Sequence, residues 1–167
     1  EMHSTIKPFE AIYMARIAQL TNKSNQFNLT TRRYSQADIE KVALDKDYIT
    51  LYGKLTDKFG DNGVVSVIIG HKICDECHID LWIMSCRVLK RDMEFAMMDA
   101  LVKQCKEANI KNIYGYFYPT AKNAMVKNFF EMQGFVKVAE DENGNTEWIF
   151  SIDNSYKNKN SVIKVEE

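Results

Sequence analysis

Two apolar stretches of strand character bracket one long helical stretch, and the rest of the chain is arranged around that unit. Ile79 to Cys86 (IDLWIMSC) is an apolar strand, Arg87 to Arg91 (RVLKR) a basic turn, and Glu94 to Asn109 (EFAMMDALVKQCKEAN) an amphipathic segment at helical spacing. Asn112 to Pro119 (NIYGYFYP) reads as a second, aromatic strand, and AKNAMVKNFFEMQGF as a second helix ending on Gly134 and Phe135. Helix N-termini present unpaired N–H groups and a positive dipole end. The basic turn therefore predicts an anionic ligand, with a long thin arm lying in a slot where Ile79–Cys86 and Asn112–Pro119 splay apart.

Upstream, Pro8 to Asn25 carries Ile12, Ala15, Ile17, Ala18 and Leu20 at helical spacing, with Pro8 placed where a first turn tolerates proline. Gln26 to Tyr34 (QFNLTTRRY) alternates Phe27, Leu29 and Thr31 against Asn28, Thr30 and Arg32, which predicts a strand with one wet face. Ser35 with Asp38 three residues on has the form of a capping box opening a short helix. Tyr48–Leu55 and Val64–Lys72 are strands joined by a turn at Asp57–Gly63, and CDEC, Cys74 to Cys77, is the tip of the next hairpin. GFVKVAE and TEWIFSI form a last hairpin through Asp141–Asn145, and the Lys- and Asn-rich segment from Asn154 predicts a loose tail. The pattern predicts one α+β domain with a mostly antiparallel sheet. Residues 1–25 would be an N-terminal helix or a linker to an upstream part, residues 26–152 the domain, and 153–167 the tail.

Composition narrows the function classes. Hydrophobic residues are 46% and charged residues 27% of 167, and the formal net charge is −1, so no global field favours nucleic acid. The longest apolar runs are strand-sized, which predicts no membrane span. Four cysteines without a repeated framework suggest a reducing, cytoplasmic setting. Glu1 as first residue fits a piece of a longer polypeptide.

Several clusters carry candidate chemistry, each beside a plainer reading. CDEC has metal-ligand spacing but no second pair to complete four zinc ligands, so an unliganded hairpin tip is preferred and no metal is expected. Cys105 falls on the inward helix face, where a free thiol packs as a small apolar group. Cys86 ends a strand beside Arg87, Lys90 and Arg91, and thiols beside cations and helix N-termini carry more thiolate. That makes Cys86 the candidate nucleophile or acyl carrier. Arg87, Lys90 and Arg91 read as a phosphate clamp, because cations at a helix start oppose the macrodipole unless they serve a ligand; the alternative is a solvated helix start. Asn28, Arg32 and Arg33 form a second polar cluster that suits a substrate or a wet sheet face. Tyr114, Tyr116, Phe117 and Tyr118 suit ligand stacking or, more simply, the core.

The element order resembles the GNAT acyltransferase fold. Its pyrophosphate loop, Arg/Gln-x-x-Gly-x-Gly/Ala, falls here on RVLKRD: Arg87 matches, and Lys90 and Asp92 replace the glycines. On the second helix Asn123, Val126, Phe129, Gly134 and Phe135 match, while Phe130 stands where the family's Tyr general acid would be. A closer resemblance is to the C-terminal domain of FkbH-like proteins, carried by AQLTNKSNQFNLTTRRYS, DKFGDNGVVSVII, IMSCRVLKRDME and YPTAKNAMV between about Ala15 and Phe150.

The resemblance implies a GNAT-like domain fused to an upstream HAD-type phosphatase domain. It implies transfer of a glyceryl unit from bisphosphoglycerate to the phosphopantetheine thiol of an acyl carrier protein. In that reading Cys86 carries the acyl group, Arg87, Lys90 and Arg91 hold phosphate, Asn123 orients pantetheine amides, and Asn28 and Arg32 meet substrate. The group bound is a carrier-borne phosphopantetheine or an acyl-CoA. Losing the glycines hampers close backbone approach to a nucleotide pyrophosphate, and losing the Tyr hydroxyl removes a proton donor. Two alternatives stand beside it: an inactive GNAT-like module that docks a carrier or another domain, and an acetyl-CoA-dependent N-acetyltransferase.

Overall fold

A bulge in one central strand decides how the molecule is laid out. The computed structural model describes residues 2–88 and 92–166. Its eight strands form one sheet in the order β6-β7-β5-β4-β3-β2-β1-β8. They are β1 (Met2–Lys7), β2 (Tyr48–Asp57), β3 (Gly60–Ile73), β4 (Glu76–Met84), β5 (Asn112–Phe117), β6 (Val136–Glu140), β7 (Thr146–Ser151) and β8 (Ile163–Glu166). Only β4–β5 and β1–β8 run parallel, so the sheet is mixed and mostly antiparallel, as the pattern predicts. Helices α1 (Met14–Lys23) and α2 (Gln36–Leu44) cover one face; α3 (Met93–Glu107) and the short α4 (Phe129–Met132) lie on the other.

β3 is apolar on both faces because both are covered, and Val64 through Gly70 are buried without a break. Met97, Leu101 and Cys105 of α3 join Ile68, Ile79 and Trp82 in one core; Ile17, Leu20 and Ile39 join Val67, Leu81 and Ile83 in the other. The N-terminal helix thus packs on this sheet. Its predicted extent shrinks to Met14–Lys23, and the preceding residues supply β1, which pairs antiparallel with β2. Ser35 caps α2 as expected, its hydroxyl accepting from Asp38 N and the Asp38 carboxylate accepting from Ser35 N. Among the described residues no helix is long and apolar enough to cross a membrane.

In β4 the register against β3 jumps from Ile69↔Leu81 to Gly70↔Ile79, leaving Asp80 as an extra residue. The buried side chains record the jump: Cys77 and Ile79 face the α3 core, and so do Trp82 and Met84, while Leu81 and Ile83 face α1 and α2. A bulge bends its strand and increases local twist. Pairing with β5 accordingly covers only Glu76↔Asn112, Cys77↔Ile113 and His78↔Tyr114, and stops where the bulge begins. Beyond that point the two strands splay.

Three expectations need correction. Gln26–Tyr34 is no regular strand; it makes a single bridge, Asn28↔Ile83. The Asn28 side-chain oxygen accepts from Thr31 N at 2.9 Å, and Thr31 takes φ +60, which turns the chain away before a ladder can extend. The helix predicted to end at Phe135 is broken into a 3-10 turn, Ala124–Val126, and four α-helical residues, because Asn123 is drawn into the sheet. The segment after Asn154 is tied down. Asp99 on α3 accepts from Tyr156 OH at 2.6 Å, Lys159 N at 2.9 Å and Asn160 N at 3.0 Å. Asn160 in turn donates to Ile163 O and leads into β8, which pairs with β1. Asp99→Ala should release this strap. Amide hydrogen exchange would then rise sharply at Ile163–Glu166 while β2 and β3 keep their protection; unchanged exchange in β8 would show the strap is held by something else.

Candidate active site

The free edge of β4 after the bulge is where the sequence predicts a ligand arm. It is occupied by the chain itself. Leu29 N donates to Trp82 O (3.4 Å) and Met84 N to Phe27 O (3.2 Å), while Thr30 Oγ1 donates to Asp80 O (2.6 Å). On its other side this insert accepts Tyr118 N at Leu29 O (2.9 Å). Phe27 to Thr30 therefore fills the fork between the splayed strands as a short extra rung.

Two asparagines fasten it. Asn123 Nδ2 donates to Asn28 O (2.9 Å) and Tyr118 O (3.0 Å), and its Oδ1 accepts from Thr120 N (2.8 Å). Asn28 Nδ2 donates to Ser24 O (3.1 Å). Both residues have 0% exposure. The expected roles of Asn123 in holding pantetheine amides and of Asn28 in binding substrate give way to structural ones, because neither amide has surface left for a ligand. Beneath the insert, Phe27 and Trp82 each meet Phe129 edge-on at 4.9 and 4.7 Å, and Phe130 packs behind them. Phe130 is 1% exposed, and a Cβ at Gly115 would lie 2.6 Å from its ring, so this position is core and the β5 backbone needs glycine to lie against it.

What remains open is the mouth above the fork. A cleft of about 770 Å³ lies there, lined by Arg16, Lys23, Phe27, Cys86, Arg87 and Lys122 among others. Cys86 is an exposed thiol at the start of the 3-10 turn Cys86–Val88, which is anchored by Ser85 N donating to Val65 O at 2.7 Å. Among the described residues Arg87 reaches Ser85 Oγ and Asn62 O at 3.4 and 3.5 Å, both long contacts. No carboxylate appears among the described lining residues, in a chain whose acidic and basic residues number 23 and 22. The cleft is thus locally cationic in a nearly neutral protein, and it suits anionic groups. Lys90 and Arg91 lie outside the described residues. Asp92, standing at a glycine position of the loop pattern, has φ +67. It keeps the left-handed backbone that glycine adopts freely and that aspartate tolerates at some cost.

The other predicted residues lie apart. Arg32 pairs with Asp80 at 3.6 Å and borders a separate depression with Tyr34, Lys41 and Tyr48. Cys74 is exposed at its hairpin tip, whereas Cys77 is buried beneath Gly70. A hydrogen bond donated by the Cys105 thiol to Cys77, together with burial, pushes that thiol's pKa far up, which makes it inert. No group of three His, Cys, Asp or Glu side chains that could hold a metal occurs among the described residues. Arg16, Lys23 and Lys122 were missed by sequence reasoning. Arg16 and Lys23 stand seven residues apart on the polar side of α1, which was the available signal.

No family model matches the chain, and no curated protein does. Solved structures do. The chain is similar to a GNAT-family acetyltransferase from Streptococcus pneumoniae at TM-score 0.68 and 12% identity, covering 92% of this chain and 100% of that one. It is similar to the GNAT domain of S. lividans PAT at 0.67 and 15%, covering 88% and 89%. A Thermoplasma acidophilum PaiA N-acetyltransferase in complex with coenzyme A matches at 0.63 and 14%, covering 91% and 99%. The fold is therefore the GNAT fold, a mixed sheet flanked by four helices. At these identities the likeness speaks to architecture, not to chemistry.

Two predictions follow from the lock and its surroundings. Asn123→Ala leaves Asn28 O and Tyr118 O buried without that donor, so urea unfolding should show a loss of about 1–3 kcal/mol; an unchanged midpoint would mean the lock is redundant. Glu94, in the first turn of α3, has a buried Oε2 without a hydrogen-bond partner. Burial raises its pKa, with repulsion from Asp92 adding to the effect. A raised folded-state value means its contribution is complete below the ordinary carboxylate range and is lost as pH rises through the raised value. Glu94→Gln should therefore gain melting temperature over the parent at neutral pH and lose that advantage at acid pH. A gain that did not depend on pH would exclude the titration.

Proposed function

We propose that this chain is an acyltransferase domain of the FkbH-like kind, moving a short glyceryl-type acyl group onto the phosphopantetheine thiol of an acyl carrier protein. The observation that carries this reading is the exposed Cys86 thiol inside a cationic cleft directly above a filled fork. An arm buried between β4 and β5 does not fit, because Phe27–Thr30 holds that edge. A phosphate-bearing arm reaching Cys86 from outside does fit, with Arg87 and Lys122 beside it. An upstream HAD-type phosphatase domain in the same polypeptide and a cytoplasmic setting belong to the same proposal.

The chemistry runs in two displacements. Cys86 Sγ, as thiolate, attacks the carbonyl of an acyl phosphate such as bisphosphoglycerate. The C–S bond forms, the C–O bond to phosphate breaks, and phosphate departs with the electron pair. Arg87 and Lys122 take up its charge. The carrier thiolate then attacks the Cys86 thioester; the new C–S bond forms as the old one breaks and Cys86 returns as thiolate. In sum, the proton of the carrier thiol ends on the phosphate. No general acid is needed for either leaving group, which suits the apolar Phe130.

The filled fork and Phe130 also favour a second reading, a GNAT-like module that docks partners without chemistry. They weigh against acetyl-CoA-dependent N-acetylation, for which titration calorimetry with acetyl-CoA should show no heat. Intact-mass measurement of a holo carrier protein, after incubation with bisphosphoglycerate and this domain, separates the first two. Acyl transfer predicts a phosphoglyceryl mass gain on the carrier, the ester phosphate being retained when this domain acts without a phosphatase, and Cys86→Ala abolishes that gain. A carrier left unmodified by the parent domain would favour the docking module, and transfer surviving in Cys86→Ala would remove the covalent step.

A further inference from the structure

We infer that the carrier protein docks along the solvent side of α1, laying an acidic helix against Arg16 and Lys23 so that its arm points down the cleft to Cys86. This rests on the acyl-transfer reading for the identity of the partner, and on separate observations for the surface. α1 buries Met14, Ile17, Ala18, Leu20 and Thr21 against the sheet, which leaves its opposite side as one wall of the cleft. Arg16 and Lys23 lie two turns apart on that wall.

Their charges have no carboxylate partner among the described residues: Arg16 donates to Gln19 Oε1, at 2.9 Å, and Lys23 forms no ion pair with a described residue. One turn before Arg16, Ile12 is 81% exposed on the short 3-10 turn Ala11–Tyr13. An exposed apolar side chain one turn before Arg16, just ahead of a helix that carries Arg16 and Lys23, suits a partner with acidic residues beside an apolar one. A basic partner is repelled. Lys122 and Arg87, which line the same cleft as Cys86, would meet the phosphate of the arm rather than the body of the carrier.

The test uses the domain with Cys86→Ala, which cannot be acylated, so that binding is read independently of transfer. Fluorescence anisotropy would follow a labelled free-standing acyl carrier protein in its holo and apo forms. Arg16→Glu with Lys23→Glu should weaken binding of both forms by about tenfold or more and flatten its salt dependence. Arg16→Gln with Lys23→Gln gives a smaller loss in the same direction and guards against misfolding of the reversed pair, with melting temperature as the control. Lysines placed for acidic residues on the carrier helix should restore affinity for the charge-reversed domain. Binding of the holo form alone, unaffected by either pair of substitutions, would overturn the inference in favour of recognition of the arm. Absence of binding by both forms would overturn it as well. Docking seen without any transfer by the parent domain would instead support this surface and defeat the acyl-transfer reading.

Discussion

One extra residue in β4 governs everything around Cys86. Asp80 shifts the register, the strand bends, and β4 parts from β5 after three paired residues. Parted strands leave backbone N–H and C=O groups on both edges, and such groups are costly to bury unpaired. A ligand arm is one way to satisfy them. This chain uses another: Phe27 to Thr30 takes the place of the arm, and Asn123 and Asn28 clamp it there. The consequence is chemical as well as structural. With the fork closed, the open surface lies at the mouth, where residues from the end of β4, from α1 and from the loop before the 3-10 turn Ala124–Val126 line a cleft that holds the exposed Cys86 thiol.

The mouth differs from the rest of the surface in charge rather than in shape. Some cations elsewhere have carboxylate partners, as in Arg32–Asp80 and Lys137–Glu140. Around Cys86 the described residues that line the cleft include cations and no carboxylate. Such a field is screened within roughly 8 Å at physiological ionic strength, so it acts on groups that enter the cleft rather than at long range. In the proposed reaction a phosphorylated donor and a phosphate-bearing arm would meet that condition in turn, at the same thiol.

The sequence pattern made the hairpins, α3 and the Ser35–Asp38 cap legible because each depends on residues near one another in the chain. The pairing of Cys86 with Arg87 was legible for the same reason. The bulge left a trace, a lone aspartate in IDLWIM, but polarity alone does not distinguish a wet position from an inserted one. Gln26–Tyr34 alternates as a strand should; what stops it is an amide of Asn28 that bends its own backbone and one from Asn123, 95 positions away. The tail looked loose because its tethers are main-chain N–H groups meeting a single distant carboxylate, Asp99. Arg16 and Lys122 reach the cleft only through tertiary folding. Two of the four stretches that carry the FkbH-like resemblance, those containing NQFNLTTRR and YPTAKNAMV, contribute the two asparagines that meet in the lock, so part of that resemblance records architecture rather than catalysis.

The central claim is that Cys86, and not merely an accessible thiol, is the acyl carrier. Cys74 is the other exposed cysteine and sits on a hairpin tip away from the cationic cleft, which makes it an internal control. The direct measurement is peptide-level mass spectrometry of the domain quenched in acid after exposure to bisphosphoglycerate. A phosphoglyceryl thioester on the Cys86 peptide, with Cys74 unlabelled, is the predicted result. Equal labelling of both cysteines, or label on neither, would contradict it.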